Sequence, residues 1–300
     1  MKQLQLKTLQ FKILEKTYTD RLKTLHYSKS GIYYMPLHIR DFLHFIENKG
    51  ITDINQVTDQ EINDWINRLK NRKNQRRPGG LSFAHINKHI SALNNFARYL
   101  KETQTGDIPA NTEYLRDKET RKINVLTTED IRKLYRACKN TVFDLRDTAM
   151  LSVYYGCGIR KKEGINLNTT DILFNKKLLH IKKSKTGRER LVPMSPAVMQ
   201  NLNEYINRSR PILLNERTTE PALFINRYGK RLDGQSMSLS LNRLLKKAEI
   251  TKRTGLHTLR HSIATHLLQS GMKLEDISKF LGHQSIDSTQ IYTHLKNPET

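Results

Sequence analysis

The sequence has few cysteines and no long apolar segment. Its two cysteines, Cys138 and Cys157, are too few for a disulfide framework and lack the spacing of metal ligands. We expect both to be reduced thiols in or near a core. Lysines interrupt the apolar residues from Met1 to Lys7, and no later stretch is long enough to cross a bilayer. These absences exclude secreted disulfide-rich proteins and integral membrane proteins, so we expect a soluble, cytoplasmic protein.

Acidic residues are scarce relative to basic ones. The 300 residues include 52 Lys and Arg against 29 Asp and Glu, which gives a formal net charge of +23. This excess predicts a polyanionic partner, because neutralised phosphates release their condensed counterions. DNA, RNA and anionic membrane surfaces all meet this condition, so charge alone selects none of them. A chain of this length is expected to form about two domains.

The first third of the sequence has the periodicity of packed helices. Apolar residues recur at three- and four-residue spacing through most of residues 1–103. Thr58 begins a capping box before one predicted helix, and Ser82 can cap another. Residues 104–122 are polar and lack this periodicity, as linkers do. We therefore predict a helical domain, a linker and a second domain over residues 123–300.

The second domain combines helices with short strands. Thr127 begins another capped helix. Three short apolar runs follow at Ile172–Phe174, Leu178–Ile181 and Arg190–Val192, joined by loops rich in Asn, Lys and Gly. We predict that they form a small antiparallel sheet. The expected fold class is therefore mainly α, with a small antiparallel β-sheet in the C-terminal domain.

Arginine, histidine and tyrosine residues of the second domain suit attack on a phosphodiester. Arg160 lies in a glycine-rich turn, and His257 and Arg260 are one helical turn apart. Two guanidiniums match the extra negative charge on the phosphate oxygens in the transition state. His257 can accept the proton of a tyrosine hydroxyl, and His283 can donate to a phosphate oxygen. Tyr292 is then the candidate nucleophile, because cationic neighbours favour its phenolate.

The loop between the last two predicted strands is strongly basic. It reads Lys182-Lys183-Ser184-Lys185-Thr186-Gly187-Arg188-Glu189-Arg190. Such a loop can bind phosphates, or place one ammonium to protonate a departing 5′ oxygen. We assign the second role to Lys185, although the residues alone do not distinguish it from Lys183. The residues predicted to contact the nucleic-acid backbone come from this loop and from a basic loop of the first domain: Lys182, Lys183, Arg188, Arg190, Lys70, Arg72, Lys73, Arg76 and Arg77.

Taken in order, these motifs resemble those of the tyrosine recombinase, or phage integrase, family. The resemblance rests on Gly-Ile-Arg160-Lys-Lys-Glu163, Lys185-Thr-Gly-Arg-Glu-Arg-Leu-Val-Pro193, His257-Thr-Leu-Arg260-His261 and Leu-Gly-His283 followed by Tyr292. Each motif alone is weakly specific, but their order and spacing are strongly specific together. The resemblance covers both halves of the chain, and the layout is similar to that of simple Xer- and Cre-like members.

The resemblance implies a helical core-binding domain and a catalytic domain that form a clamp around DNA. It also implies that four residues hold the scissile phosphate: Arg160, Arg260, His257 and His283. Lys185 would be the general acid for the 5′ hydroxyl, Tyr292 would form a 3′-phosphotyrosyl bond, and Glu163 would orient Arg160. No metal or cofactor is implied, because the phosphotyrosyl bond stores the cleaved linkage. The implied function is site-specific DNA recombination, in integration, excision, inversion or resolution.

The resemblance also implies partners. They are double-stranded DNA recombination sites and further copies of this chain, as a tetramer on two DNA sites, with no membrane partner. A second recombinase or an accessory DNA-bending protein would be an additional partner. We expect the protein to associate with a prokaryotic nucleoid, as a chromosomal or mobile-element recombinase.

The sequence departs from the family pattern in two places. Only residues 293–300 follow Tyr292, too few for the helix that docks into a neighbouring protomer in Xer- and Cre-like enzymes, so the mode of protomer contact stays open. We also expect no separate arm-binding domain before the bundle, in contrast to the layout of the large phage integrases.

Two other functions fit the same residues. A type IB topoisomerase-like protein shares the nicking chemistry but needs no partner DNA. A non-catalytic DNA-binding protein of the same fold is the other, although all the expected catalytic residue types are present. His257, His261 and His266 have spacing that could bind zinc on a helix, but the acidic residue of a zinc-hydrolase helix is missing, so we expect no metal.

Overall fold

A computed structural model describes most of the chain. The described residues are 4–75, 78–109, 111–116, 124–182, 189–215, 219–252 and 254–282. The chain divides into two compact units, Met1–Arg121 and Lys122–Thr300. Each unit buries an apolar core of its own.

The first unit is a helical bundle. Its helices are α1 (Leu9–Thr24), α2 (Lys29–Asn48), α3 (Asp59–Asn71) and α4 (Phe83–Thr103), with a 3₁₀ turn at Ile54–Gln56. Thr58 and Glu61 form the predicted capping box at the start of α3. Ser82 caps α4 by accepting a hydrogen bond from the backbone N–H of His85. The largest side chains of the core are aromatic: Phe11, Tyr18, Phe42, Trp65 and Phe96.

The segment that follows α4 is packed against that helix, although its composition is that of a linker. The side-chain amide of Asn94 pairs with the backbone C=O and N–H of Thr112, at 3.0 and 3.1 Å. Asn87 pairs in the same way with Leu115, at 2.8 Å for both bonds. Two amides on one face of α4 therefore fix the course of this segment. Apolar periodicity could not predict this, because the contacts are polar.

Three histidines of the first unit form a cluster that the sequence did not predict. The rings of His38 and His89 are 3.9 Å apart between centroids, and those of His85 and His89 are 5.3 Å apart. Burial, followed by the charge of His85, lowers the pKa of His38 to about 4. Burial and both neighbouring histidines lower the pKa of His89 to about 2. These two imidazoles are therefore neutral at neutral pH.

We expect mild acid to destabilise the protein through this cluster. An unfolded histidine binds its proton near pH 6.5, whereas folded His38 and His89 stay neutral to lower pH. Below pH 6.5 the unfolded state therefore binds more protons, and the free energy of unfolding falls by up to roughly 1.4 kcal/mol per pH unit for each histidine. Urea unfolding at several values between about pH 7 and pH 5 measures this slope, before most carboxylates titrate. The slope should be smaller in a His89→Gln variant, and equal slopes would contradict the assignment.

The second unit is also mainly helical. Its α-helices are α5 (Thr128–Arg136), α6 (Val142–Leu151), α7 (Lys161–Asn166), α8 (Pro196–Glu204), α9 (Arg210–Leu214), α10 (Gly234–Lys247), α11 (Leu256–Gln269) and α12 (Leu274–Leu281). Wider π-helical turns at Ser152–Gly156 and Tyr205–Ser209 extend α6 and α8. Thr127 caps α5 as predicted. Across the ranges described, no helix combines the length and apolarity needed to cross a membrane.

A three-stranded antiparallel sheet lies between α7 and α8 in the chain. Its strands, in spatial order, are β1 (Ile172–Leu173), β2 (Leu178–Ile181) and β3 (Arg190–Pro193). Leu178 pairs with Pro193 and Ile181 pairs with Arg190, so the β2–β3 hairpin is in register down to the base of its loop. The predicted fold class, mainly α with a small antiparallel sheet, is confirmed.

Candidate active site

Arg160 follows a turn that requires glycine. Gly158 has a φ of +58°, and a Cβ at this position would lie 2.8 Å from Leu281 Cδ2. The turn therefore approaches the end of α12 more closely than a side chain would allow. Arg160 Nη2 donates to the carbonyl oxygen of Gly282 at 2.7 Å. The first predicted phosphate-binding arginine thus lies beside the residue that precedes His283.

Arg260, on α11, contacts the same two segments, the turn at Gly158 and the end of α12. Its Nη1 donates to the carbonyl oxygen of Gly158 at 2.6 Å, and its Nη2 donates to that of Leu281 at 2.8 Å. The residue is buried. Arg160, which directly precedes α7, and Arg260, on α11, therefore donate to consecutive carbonyls, those of Gly282 and Leu281. This arrangement brings two guanidiniums to one place, as binding of a single phosphate requires.

His257 lies on α11 one turn before Arg260. The residue is exposed. Partial burial, followed by the positive charges of Arg260, Lys161 and Arg160, lowers the pKa of His257. The imidazole is therefore neutral at neutral pH and able to accept a proton.

Glu163 is the buried carboxylate of this site, with 3% of its side chain exposed. Its Oε2 accepts the backbone N–H of Arg160 at 2.8 Å, and its Oε1 accepts Arg160 Nη1 at 2.9 Å. Arg190 donates to the same two oxygens through Nη1 and Nη2, at 3.0 Å each. Burial alone would raise the pKa of Glu163, but the hydrogen bond and charge of Arg190, followed by the backbone and side-chain hydrogen bonds of Arg160, lower the pKa to about 2. One ionised carboxylate is therefore shared by two arginines.

Arg190 was predicted to contact the nucleic-acid backbone, and the structure places its side chain inside this site. Only 9% of that side chain is exposed. Its Nε donates to the carbonyl oxygen of Phe280 at 3.4 Å. Residues of β3 alternate in direction, so that Arg190 shares a face with the buried Val192 while Leu191 is exposed. This alternation is the sequence signal from which the position of Arg190 could have been predicted.

The other predicted backbone-contacting residues that the structure describes are at the surface. Lys182, at the other side of the hairpin base, is 57% exposed and its Nζ is 2.7 Å from Asp171 Oδ1. In the first unit, Lys70 and Lys73 are exposed around the end of α3. Arg72 lies between them and donates to Asp41 at 2.7 Å. The remaining predicted site residues lie outside the described ranges: Arg76, Arg77, Lys183, Lys185, Arg188, His283 and Tyr292.

The described part of the chain offers no metal site. Among these residues, no group of three or more His, Cys, Asp or Glu side chains is arranged to hold a metal ion. His266, one of the three histidines with helical zinc spacing, instead bonds through Nδ1 to the Tyr155 hydroxyl at 2.9 Å.

Known sequences place the chain in a family. The model of the Phage integrase family matches residues 124–299. The chain is 35% identical over 217 residues to tyrosine recombinase XerD of Oceanobacillus iheyensis, which covers 72% of this chain and 73% of the relative. It is 30% identical over 261 residues to tyrosine recombinase XerC of Lacticaseibacillus casei, which covers 86% and 85%. The chain therefore belongs to the phage integrase family, the tyrosine recombinases. A tyrosine-type site-specific DNA recombinase is the class of enzyme that this membership and these relatives support.

Solved structures of recombinases have the same fold. One is XerH site-specific recombinase bound to a palindromic difH substrate in a post-cleavage complex, with a TM-score of 0.71, 19% identity and coverage of 93% of this chain and 82% of that one. Another is the Tn1549 transposon integrase in complex with transposon right end DNA, with a TM-score of 0.71, 18% identity and coverage of 93% and 94%.

Proposed function

We propose that this recombinase breaks and rejoins double-stranded DNA with Tyr292 as its nucleophile. The observation that carries the proposal is the convergence of Arg160 and Arg260 on consecutive carbonyls at the end of α12. These carbonyls directly precede His283, and Tyr292 follows nine residues later in the chain. The nucleophile therefore belongs to the segment that starts where the two guanidiniums meet.

The reaction conserves phosphodiester bonds. The scissile phosphate binds between Arg160 and Arg260, and His283 donates to one of its non-bridging oxygens. The Tyr292 hydroxyl attacks phosphorus, its proton passes to His257, and Lys185 gives a proton to the departing 5′ oxygen. The P–O5′ bond breaks as the P–O bond to tyrosine forms, which leaves a 3′-phosphotyrosyl end and a free 5′ hydroxyl. Attack by the 5′ hydroxyl of another strand then reverses these steps, so the reaction consumes no nucleotide.

The lowered pKa of His257 supports its role as proton acceptor. A free tyrosine hydroxyl has a pKa near 10, so only about one in a thousand is ionised at neutral pH. An imidazole that is neutral at this pH can accept the tyrosine proton during the attack. The two guanidiniums that help to lower its pKa would also stabilise the phenolate.

We further propose the architecture and partners of the functional complex. The helical unit is the core-binding domain and the second unit is the catalytic domain, and both bind DNA recombination sites. The formal net charge of +23 and the exposed Lys70, Lys73 and Lys182 support DNA binding. The active assembly is a tetramer on two sites. A second recombinase or an accessory DNA-bending protein is a further partner, and the protein is associated with the nucleoid.

Strand exchange distinguishes this function from its two alternatives. A binding site is first selected from a random duplex library, and two labelled duplexes with different flanks are then built around it. A recombinase is expected to yield products that carry one flank from each duplex. A type IB topoisomerase-like enzyme would relax a supercoiled plasmid without producing recombinants. Binding without either product would contradict the catalytic proposal.

A further inference from the structure

We infer that Arg190 is a positioning residue of the strand-transfer reaction, which acts on Arg160 through Glu163. This inference rests on the proposed function and deepens it. It assigns Arg190 to the interior of the site, whereas the sequence suggested a role at the DNA surface.

The contacts of Arg190 connect three segments of the second unit. Its guanidinium holds both oxygens of Glu163, at the start of α7. Its Nε reaches the carbonyl oxygen of Phe280, near the end of α12. A Cβ at Gly282 would lie 2.7 Å from Arg190 Cδ, so the side chain also packs directly on the residue before His283. Arg190 itself begins β3, the strand that follows the loop containing Lys185.

The two arginines that share Glu163 differ in how they use their donors. The Arg160 side chain is 25% exposed and places Nη2 on the Gly282 carbonyl beside Arg260, whereas the Arg190 side chain is 9% exposed and has both terminal nitrogens on Glu163. Arg190 binds the carboxylate in a bidentate manner, while Arg160 contacts it through one guanidinium nitrogen and its backbone N–H. The bidentate contact fixes the orientation of the carboxylate, and the carboxylate in turn fixes Arg160.

The net charge of Arg160, Arg190 and Glu163 gives a second reason why Arg190 matters for phosphate binding. Two guanidiniums and one carboxylate carry a net charge of +1, so the group remains attractive to a phosphate. Without Arg190, Glu163 would have Arg160 as its one guanidinium partner among these residues, and that pair would be neutral overall. The buried carboxylate would keep its bonds to Arg160 and, when ionised, would compete with the phosphate for that guanidinium. Loss of Arg190 is therefore expected to weaken transition-state binding at a phosphate that it does not touch.

The test compares cleavage rate with DNA affinity in variants of the full chain. The substrate is the selected duplex with a nick near the cleavage point, from which a short fragment escapes so that religation fails. We expect Arg190→Met to slow single-turnover cleavage at saturating protein by about 100-fold, with a change in Kd of less than about threefold. Arg190→Lys should recover part of the rate, since lysine restores the positive charge without the bidentate contact.

Lys182→Met is the matched control. Lys182 is a cation at the same hairpin base but is exposed and is proposed to contact DNA, so its loss should raise the Kd for the duplex. If Arg190→Met raises the Kd as Lys182→Met does and leaves the cleavage rate at saturating protein unchanged, then Arg190 is a DNA contact and the inference is overturned.

A double-mutant cycle tests the route through Glu163. If Arg190 acts through this carboxylate, the variant with both Arg190→Met and Glu163→Gln should cleave no more slowly than the slower single variant. Additive losses would overturn the route. Unfolding measured on the same variants separates a local effect from misfolding. A loss of cleavage rate that only matches the loss of folded protein would also overturn the route through Glu163.

A sulfur substitution tests the alternative route through the hairpin loop. A duplex with sulfur in place of the bridging 5′ oxygen has a leaving group that needs no proton, so it should rescue Lys185→Ala. It should not rescue Arg190→Met, whose defect lies in phosphate binding, and rescue would overturn the inference. A wild-type protein that binds the duplex without cleaving it would overturn the proposed function and this inference together. If the wild-type protein cleaves the duplex and the Arg190→Met variant cleaves it at the same rate, the inference alone is overturned and the proposed function stands.

Discussion

A Tyr292→Phe variant is expected to bind its DNA site with wild-type affinity and to form no covalent protein–DNA adduct. The substitution removes one oxygen atom, which is the atom that would attack phosphorus. The phosphate would still bind to Arg160 and Arg260, because their guanidiniums are held by Glu163 and by backbone carbonyls. The loss should therefore appear in the chemical step and not in affinity.

A denaturing gel measures this effect with the nicked duplex, in which a covalent adduct migrates with the protein. Tyr228→Phe is the matched control, since Tyr228 is an exposed tyrosine of the second unit. The Tyr228→Phe variant should form adduct at the wild-type rate. Adduct formation by Tyr292→Phe would show that another residue is the nucleophile.

Replacing Arg160 or Arg260, the two arginines proposed to bind the phosphate, by lysine is expected to slow cleavage by about 10²–10³-fold. Lysine keeps the positive charge but lacks the planar, paired donors that match phosphate oxygens. The two variants should differ in stability. Arg260 is buried and ties Gly158 to Leu281, so Arg260→Lys should lower the free energy of unfolding more than Arg160→Lys.

Arg231→Lys provides the control for these two variants. Arg231 also donates to two carbonyls, those of Ile165 and Leu167, in the second unit, but it is not part of the predicted catalytic set. Its loss should lower stability and leave the cleavage rate of the folded protein nearly unchanged. Rates for Arg160→Lys and Arg260→Lys within about tenfold of wild type would contradict their assignment to the transition state.

The helices and the sheet could be predicted from the sequence because each has a local signal. Capping residues such as Thr58 and Thr127 mark where helices begin, and apolar spacing marks the faces that are buried. The hairpin was predicted from short apolar runs and the glycine between them. Tertiary packing preserved these local preferences, so the fold class was predicted correctly.

Polar contacts between distant residues have no such signal. Glu163 and Arg190 are 27 positions apart, and no periodicity connects them. The histidine cluster of the first unit and the amides of Asn87 and Asn94 are similar cases, because each depends on how packed helices and loops meet. Motif order predicted Arg160, His257 and Arg260 as site residues and Glu163 as the partner of Arg160. Only the three-dimensional contacts revealed that Arg190 holds Glu163 and that backbone carbonyls hold Arg260.

The most direct test of the account is to identify the atom that joins protein to DNA. The adduct trapped on the nicked duplex would be digested with protease and nuclease, and the modified peptide sequenced by mass spectrometry. The account predicts one modified residue, Tyr292, linked to the 3′ phosphate of the cleaved strand, with a free 5′ hydroxyl on the released fragment. A linkage at another residue, a linkage to a 5′ phosphate, or specific binding without any adduct would contradict it.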